Sequence, residues 1–545
     1  MSATTLPRQA EAAQRDDVAT DERGGATRSE SRRVARARSS RRTAILVAIA
    51  LAVVAALLRL IDITTSYDIF IDEATYAAIA RDTTLLVGPT LHGLSFVLHP
   101  PIALLLLAGP AQFLGSHDVA ALIVGLRPVA AVFGSLTVAV LYLALRRAGL
   151  RKAALAAAAL VALDPFIISF DSRVMLEAFA QLFAVLTVAA AIRTATADPR
   201  TRWRWAVVTA VAGAATFGTK ETFGLVILAT LVLVACTAPR GERRGPMIAV
   251  AGTFFGYALV NLAMISWAGV GVWWHMRTDG LSRLLGTQQS TGFKAEGVQV
   301  SLWDRLLPNG VELAATYTIL TIGGLCAISL LWGLLRRRAW AVDLAPGAAA
   351  AVRIVAIWAV CACGYVAYAV VFGSLEEQMF YIAVVPCAAA LSIRVFVIGR
   401  RVLRRAGIVG VVAILCLQGV AWVQVHTVSD DVYAQLLERV ADVAPAGSTL
   451  AVTEETGQFV ISGYELGQWA TAPELIEHDV DFVLLSDRLV EHGYGLADQE
   501  FADAVREHGE LVLSVQGREN DLQLYDVRDW THPAGSDIAT TGDGS

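Results

Sequence analysis

Charge is scarce in this sequence. Asp, Glu, Lys and Arg make up 17% of the 545 residues and apolar residues 55%. That balance excludes an ordinary soluble enzyme, which at this length carries more charge and divides into several domains. Cysteine is sparse too. The six residues Cys236, Cys326, Cys361, Cys363, Cys387 and Cys416 all sit inside apolar blocks, so no disulfide or zinc framework is indicated and small buried thiols are expected. The polar C-terminal region has no glycine-rich phosphate loop and no nucleophile elbow. No nucleic-acid partner is expected.

What the chain does have is long apolar runs. They recur from residue 43 to residue 425 in blocks of about 17–24, the length that crosses the hydrocarbon core of a bilayer as a helix. Residues 1–42 are different: polar, with six arginines between Ser31 and Arg42, and too poor in apolar surface to form a core. They read as a disordered cytoplasmic tail. The run after them lacks a small-residue cleavage site and is long for a signal peptide, so it reads as an uncleaved first span.

Basic clusters mark cytoplasmic loops. They lie at residues 31–42, 146–152, 193–204, 240–244, 336–338 and 400–405. One arrangement puts all of them on one side. It has about eleven spans, near 43–63, 122–145, 153–169, 174–192, 205–219, 222–238, 247–267, 311–335, 352–372, 379–398 and 406–426. The N-terminus is then inside and the C-terminus outside. The short apolar run 101–114 does not cross in this arrangement, and residues 62–121 form one long outer loop with one or two juxtamembrane helices. Residues 427–545 carry 5 Arg, no Lys and 24 acidic residues, a formal −19 against −5 for the whole chain. Their patterning predicts strands at 448–453 and 481–486, helices at 470–477 and 498–508, and a terminal hairpin of 510–515 with 521–527. Residues 427–532 thus read as a small extracytoplasmic α/β domain, and 533–545 as a disordered tail.

The chemistry-bearing residues lie in the outer loops. The first holds Asp72 and Glu73, with Tyr76 a helical turn on, then His99-Pro100-Pro101. Adjacent carboxylates at a membrane surface mark a site when they face the protein interior, where one can take a proton from an acceptor hydroxyl. The plainer reading is that they cap a juxtamembrane helix. The second loop holds Arg173, whose planar fork suits a phosphate, with Glu177 four residues on; a simple i,i+4 pair is the alternative. The third holds Lys220 between two apolar runs, a phosphate contact or an interfacial anchor. The fourth, residues 267–308, has Trp273, Trp274 and His275 with Arg277, Arg283, Lys294 and Arg305, most simply an interfacial belt. The fifth has Glu376, Glu377 and Gln378 before Tyr381. Acids, a histidine, an arginine and a lysine on one side of a membrane suit an anionic lipid-linked substrate.

Together these motifs resemble the protein O-mannosyltransferases and the aminoarabinose transferases of lipid A, both of the GT-C class. The resemblance rests on the Asp-Glu pair, the His-Pro-Pro that opens an apolar helix, Arg127-Pro128 before Gly134, and Ser172-Arg173 with a following acid. It is best over residues 45–225. It implies a GT-C-like polytopic α-helical transmembrane domain over 43–426 with a catalytic first loop. The implied activity is transfer of a sugar from a polyprenyl-phosphate donor to an extracytoplasmic acceptor: protein, lipid or cell-wall glycan. Inversion at the anomeric carbon goes with it, in a plasma-membrane protein; no cofactor is required, and a divalent metal, which some distant GT-C enzymes use, is not indicated by the residues here. Asp72 is implied as base or acceptor-orienting acid and Glu73 as its catalytic partner. Tyr76, His99, Arg173, Lys220 and Glu177 are implied as substrate-binding, with Arg173 and Lys220 at the lipid phosphate. The acid after Ser-Arg falls at Glu177, about one residue earlier than the family pattern leads one to expect. The rival class is a transporter, flippase or polymerase of lipid-linked sugars. Transporters favour internal repeats and midplane charges, and no convincing repeat is found.

Overall fold

The computed structural model describes residues 41–285, 287, 312–336, 343–372, 377–397, 401–491 and 495–532. The tails expected at 1–42 and 533–545 lie outside these, apart from 41 and 42, as do Lys294, Arg305 and Glu376. The chain divides into two units, 1–50 and 51–545. Of the first, the described part is the leading half of helix α1 (Arg41–Leu60). The second holds the rest of α1 and every other element.

The helices continue as α2 (Ile71–Asp82), α3 (Ile102–Leu114), α4 (Val119–Arg147), α5 (Arg151–Leu163), α6 (Pro165–Asp171), α7 (Leu176–Thr196), α8 (Arg202–Phe217), α9 (Glu221–Thr237) and α10 (Arg244–Leu284). After them come α11 (Ala314–Leu335), α12 (Pro346–Phe372), α13 (Tyr381–Val397), α14 (Arg401–Thr427) and α15 (Val432–Val443). Among the described residues, eight helices are long and apolar enough to cross a membrane, and nine if the bent pair α5–α6, which turns by 62° at Asp164, counts as one. The chain is a mostly helical membrane protein. Two of the spans expected from charge, near 205–219 and 222–238, are α8 and α9, with 16 and 17 residues. The first turn of α8 is Arg-Trp-Arg-Trp, which dilutes its apolar run. The expected fourth outer loop is helical in its first half, because α10 continues past a break at Gly269. Residues 62–121 hold α2 and α3, with a two-stranded ribbon, β1 (Thr90–Leu91) and β2 (Leu94–Ser95), between them.

The two ends of the bundle differ in charge, as the positive clusters imply. Gly347 at the start of α12 lies against Ala148 in the basic turn between α4 and α5. Arg353 donates to the Thr237 carbonyl at the end of α9 (3.4 Å), and Gly245 packs on Thr194 and Arg202. The basic turns therefore gather at one end. At the other end lie α2, the starts of α7, α9 and α13, and the end of α14.

The C-terminal residues form a five-stranded mixed sheet in the order β4-β3-β5-β7-β6, from β3 (Thr449–Val452), β4 (Glu465–Gly467), β5 (Phe482–Leu485), β6 (Glu510–Gln516) and β7 (Asp521–Asp526). β3 is parallel to β4 and β5, and β7 antiparallel to β5 and β6. The amphipathic α15 lays Val432, Leu436 and Val440 on the sheet. One apolar core runs from α2, α3 and α4 through these residues to Leu450, Phe482 and Leu484. The domain is thus seated on the first loop by apolar burial, the main favourable term available to it.

Candidate active site

The first turn of α2 carries Asp72 and Glu73, where acidic side chains complement the helix dipole. The two have different surroundings. Glu73 is fully buried. Its Oε1 accepts from Arg127 Nε (3.0 Å) and the Val174 amide (2.7 Å), and its Oε2 from Arg127 Nη2 (2.8 Å) and the Phe70 amide (3.4 Å). Arg127, on α4, spends its remaining N–H groups on the carbonyls of Ile63 (2.7 Å), Tyr67 (2.9 Å) and Asp68 (3.1 Å). All five guanidinium donors are satisfied. This ion pair braces the approach to α2, its first turn, and the start of α7 against one another. Asp72, one position along, is half-buried.

Below the brace sits a second polar layer. Asp171 at the end of α6 accepts from Arg59 Nε on α1 (2.8 Å) and from the Tyr381 hydroxyl on α13 (2.5 Å). Its carboxylate presses on Gly134 of α4, where an added Cβ would lie 2.1 Å from an oxygen. Only glycine admits that approach. Ser172 donates to the Arg59 carbonyl (3.0 Å).

Arg173 and Glu177 do not pair with each other. Arg173 donates to Ser169 Oγ (3.2 Å) and to Glu519 of the C-terminal domain (3.2 Å), and lies over the ring of Tyr67. Glu177 is fully buried and holds the ammonium of Lys220, which also donates to Gln378 (3.0 Å). That joins the starts of α7, α9 and α13.

The His-Pro-Pro segment meets the same region. The His99 ring packs edge-on against Tyr76 of α2, with centroids 5.9 Å apart. The Ile102 amide donates to the Gly218 carbonyl (2.9 Å), two residues before Lys220. Arg277 on α10 donates to the Leu98 carbonyl (3.1 Å) and pairs with Glu221 (2.7 Å), so one guanidinium ties the neighbours of His99 and Lys220 together.

The structure therefore gathers Asp72, Glu73, Tyr76, His99, Glu177 and Lys220 at one end of the bundle, with Arg173 beside Val174, which binds Glu73. It leaves Trp274 and His275 facing outward, the histidine paired with Asp279, while Trp273 donates to Asn261 (3.1 Å). Residues absent from the sequence-derived site are Arg59, Arg127, Asp171 and Tyr381. The first two carried a signal, a cation inside an apolar run. Among the described residues no group of three or more His, Cys, Asp or Glu is placed to hold a metal ion.

The C-terminal domain closes over this end. Asp68, buried beside Asp72's helix, accepts from the Tyr433 amide (3.1 Å) and Asn520 Nδ2 (3.0 Å), and burial pushes its carboxyl well above the usual range. Arg518 pairs with Glu312 (2.7 Å) and Glu519 (2.8 Å). Burial raises the Glu519 carboxyl, but Arg173 and Arg518 outweigh it and hold the group below its ordinary value.

Residues 49–278 match the family model of dolichyl-phosphate-mannose-protein mannosyltransferases. No curated protein matches the chain by sequence. Among solved structures, the oligosaccharyltransferase AglB of Archaeoglobus fulgidus, in complex with an inhibitory peptide and a dolichol-phosphate, aligns at a TM-score of 0.54 and 12% identity, covering 90% of this chain and 75% of that one. An oligosaccharyltransferase of Archaeoglobus fulgidus in complex with zinc and sulfate aligns at a TM-score of 0.52 and 12% identity, over 89% and 74%. ArnT of Cupriavidus metallidurans bound to undecaprenyl phosphate aligns at 0.48 and 13% identity, over 88% and 97%. The mannosyltransferase family model thus matches 230 of the 545 residues, and over nine-tenths of its length the chain is similar in fold to the archaeal oligosaccharyltransferase.

Proposed function

We propose that this protein transfers a sugar from a polyprenyl-phosphate donor to an acceptor hydroxyl at the polar end of its bundle, with Asp72 as the proton acceptor. The observation that supports this reading is the braced first turn of α2, which holds the half-buried Asp72 beside Tyr76 and His99 at the polar end of the bundle. Glu73 is saturated by Arg127 and Val174 and serves as a brace, which fixes the helix that presents Asp72. Glu73 is accordingly a positioning residue rather than a partner in proton transfer.

In the reaction an acceptor oxygen forms a bond to the anomeric carbon as the bond from that carbon to the phosphate oxygen breaks. The electron pair leaves with the phosphate, which goes from monoanionic diester to polyprenyl phosphate, and the acceptor proton passes to Asp72. The leaving group is anionic already, so it calls for fixed cations rather than a general acid. Lys220, oriented by Glu177 and Gln378, and Arg173 supply them. Tyr76 and His99 form a wall beside Asp72's helix and orient the sugar or acceptor. Displacement from the face opposite the phosphate inverts the anomeric centre. No metal is needed for these steps. The basic turns gathered at the far end favour a plasma-membrane orientation with that end cytoplasmic and the site and sheet domain outside.

The test is reconstitution of the full chain in lipid vesicles with polyprenyl-phosphate sugars radiolabelled in the head group. We expect label to move onto an acceptor while free polyprenyl phosphate appears in equal amount, and Lys220→Ala to raise the donor concentration needed by about tenfold or more, the loss of a charge-assisted hydrogen bond. Label that crosses the bilayer still attached to its polyprenyl carrier would instead make the protein a transporter.

A further inference from the structure

At the basic end of the bundle, far from the Asp72 helix, three helices enclose a cavity that the transfer reaction does not use. α11 packs on α13 where the backbone of Gly323 meets Cys387, and α14 packs on α13 where Gly407 meets Val395. Where the helices part they leave a slot of about 290 Å³, near the lower end of the size of ligand pockets, ~300 Å³. Its apolar and neutral walls are Ile322, Leu325, Cys326 and Ser329 of α11, Val395 of α13 and Leu403 of α14. Leu325 and Leu403 are 63% and 57% exposed, so the slot opens sideways, onto the surface that faces the bilayer.

Arg394, in the last turn of α13, is part of the wall. The exposed arginines Arg401, Arg404 and Arg405 open α14 beside it, and Arg336 closes α11 at the same end. A cation at a helix C-terminus is favourable by itself, but that does not call for an apolar slot next to it. An apolar slot open to lipid, with one arginine in its wall and more at its rim, matches a molecule with an acyl chain and a negative phosphate. Basic pockets between membrane helices recognise anionic head groups in this way.

We propose that the slot is a binding site for an anionic phospholipid of the surrounding bilayer, with an acyl chain along Leu325 and Leu403 and the phosphate at Arg394. The proposal goes beyond the transfer reaction and does not depend on it. The test titrates the purified full chain in detergent with dioleoylphosphatidylglycerol, dioleoylphosphatidylcholine or undecaprenyl phosphate, and counts retained lipids by native mass spectrometry. Wild type should retain phosphatidylglycerol about fivefold or more over phosphatidylcholine. Arg394→Gln should remove that preference, and Leu403→Trp, which fills the slot and leaves the charge, should lower retention of phosphatidylglycerol by a similar factor. Arg394→Lys should keep most of it. If Arg394→Gln does not fold, Leu403→Trp carries the test alone. Equal retention of the two phospholipids by wild type overturns the proposal. So does an undiminished preference in a folded Arg394→Gln or in Leu403→Trp, and so does retention of undecaprenyl phosphate displacing phosphatidylglycerol.

Discussion

Glu73 and Asp72 are chemically near-identical neighbours in different surroundings, the first fully buried and the second half-buried. Glu73 meets a guanidinium and two amides inside the protein. Removing one charge of a buried pair strands the other, at a cost of about 3–5 kcal/mol. Glu73→Gln is therefore expected to lower the thermal unfolding temperature of the purified protein markedly. Arg127→Met alone should do the same, while the double variant should recover part of the loss, because then no buried charge is left unpaired. A Glu73→Gln protein as stable as wild type would rule out the brace.

At the scale of elements, the site depends on how closely α4, α6 and α1 approach. Gly134 permits the Asp171 carboxylate to sit against α4 and so to reach Arg59 and Tyr381. Gly134→Ala should cost about 1–3 kcal/mol through overpacking, seen as a lower unfolding temperature. Much at this scale was legible in the chain. Helices α2 and α3, the sheet strands near 448–453 and 481–486 and the terminal hairpin were all expected, because periodicity and charge report directly on what is buried. Pairing was not legible. Arg173 and Glu177 are spaced for a helical pair, yet they bind Glu519 and Lys220, 346 and 43 residues away. Local spacing says which side chains can meet, and only the packing of helices decides which do. β4 is only three residues long, and α15, set off from the last span by Ser429-Asp430-Asp431, was not among the expected elements.

The whole molecule joins a membrane bundle to a sheet domain through the loop that carries Asp72. Charged contacts at Arg173, Glu312, Arg518 and Glu519 supplement the shared apolar core. Glu519 makes this junction sensitive to acid. Its folded carboxyl lies below the ordinary value. Such a group contributes stability that is fully present above its unfolded value, about 4.3, and is lost as pH falls through the folded one. Hydrogen exchange of residues 516–521, corrected for intrinsic rates, should quicken more in wild type than in Glu519→Gln as pH falls below about 4. Glu519→Gln should flatten the acid-side change. A wild-type profile unchanged down to pH 3 would contradict the role given to this contact.

The most direct measurement compares Asp72→Asn with wild type for transfer of label from polyprenyl-phosphate sugars, at matched amounts of folded protein. Per folded molecule, Asp72→Asn should lose about a hundredfold or more of the transfer rate, the scale of a lost general base. Transfer at the wild-type rate by a folded Asp72→Asn protein would contradict the assignment of Asp72 as the proton acceptor.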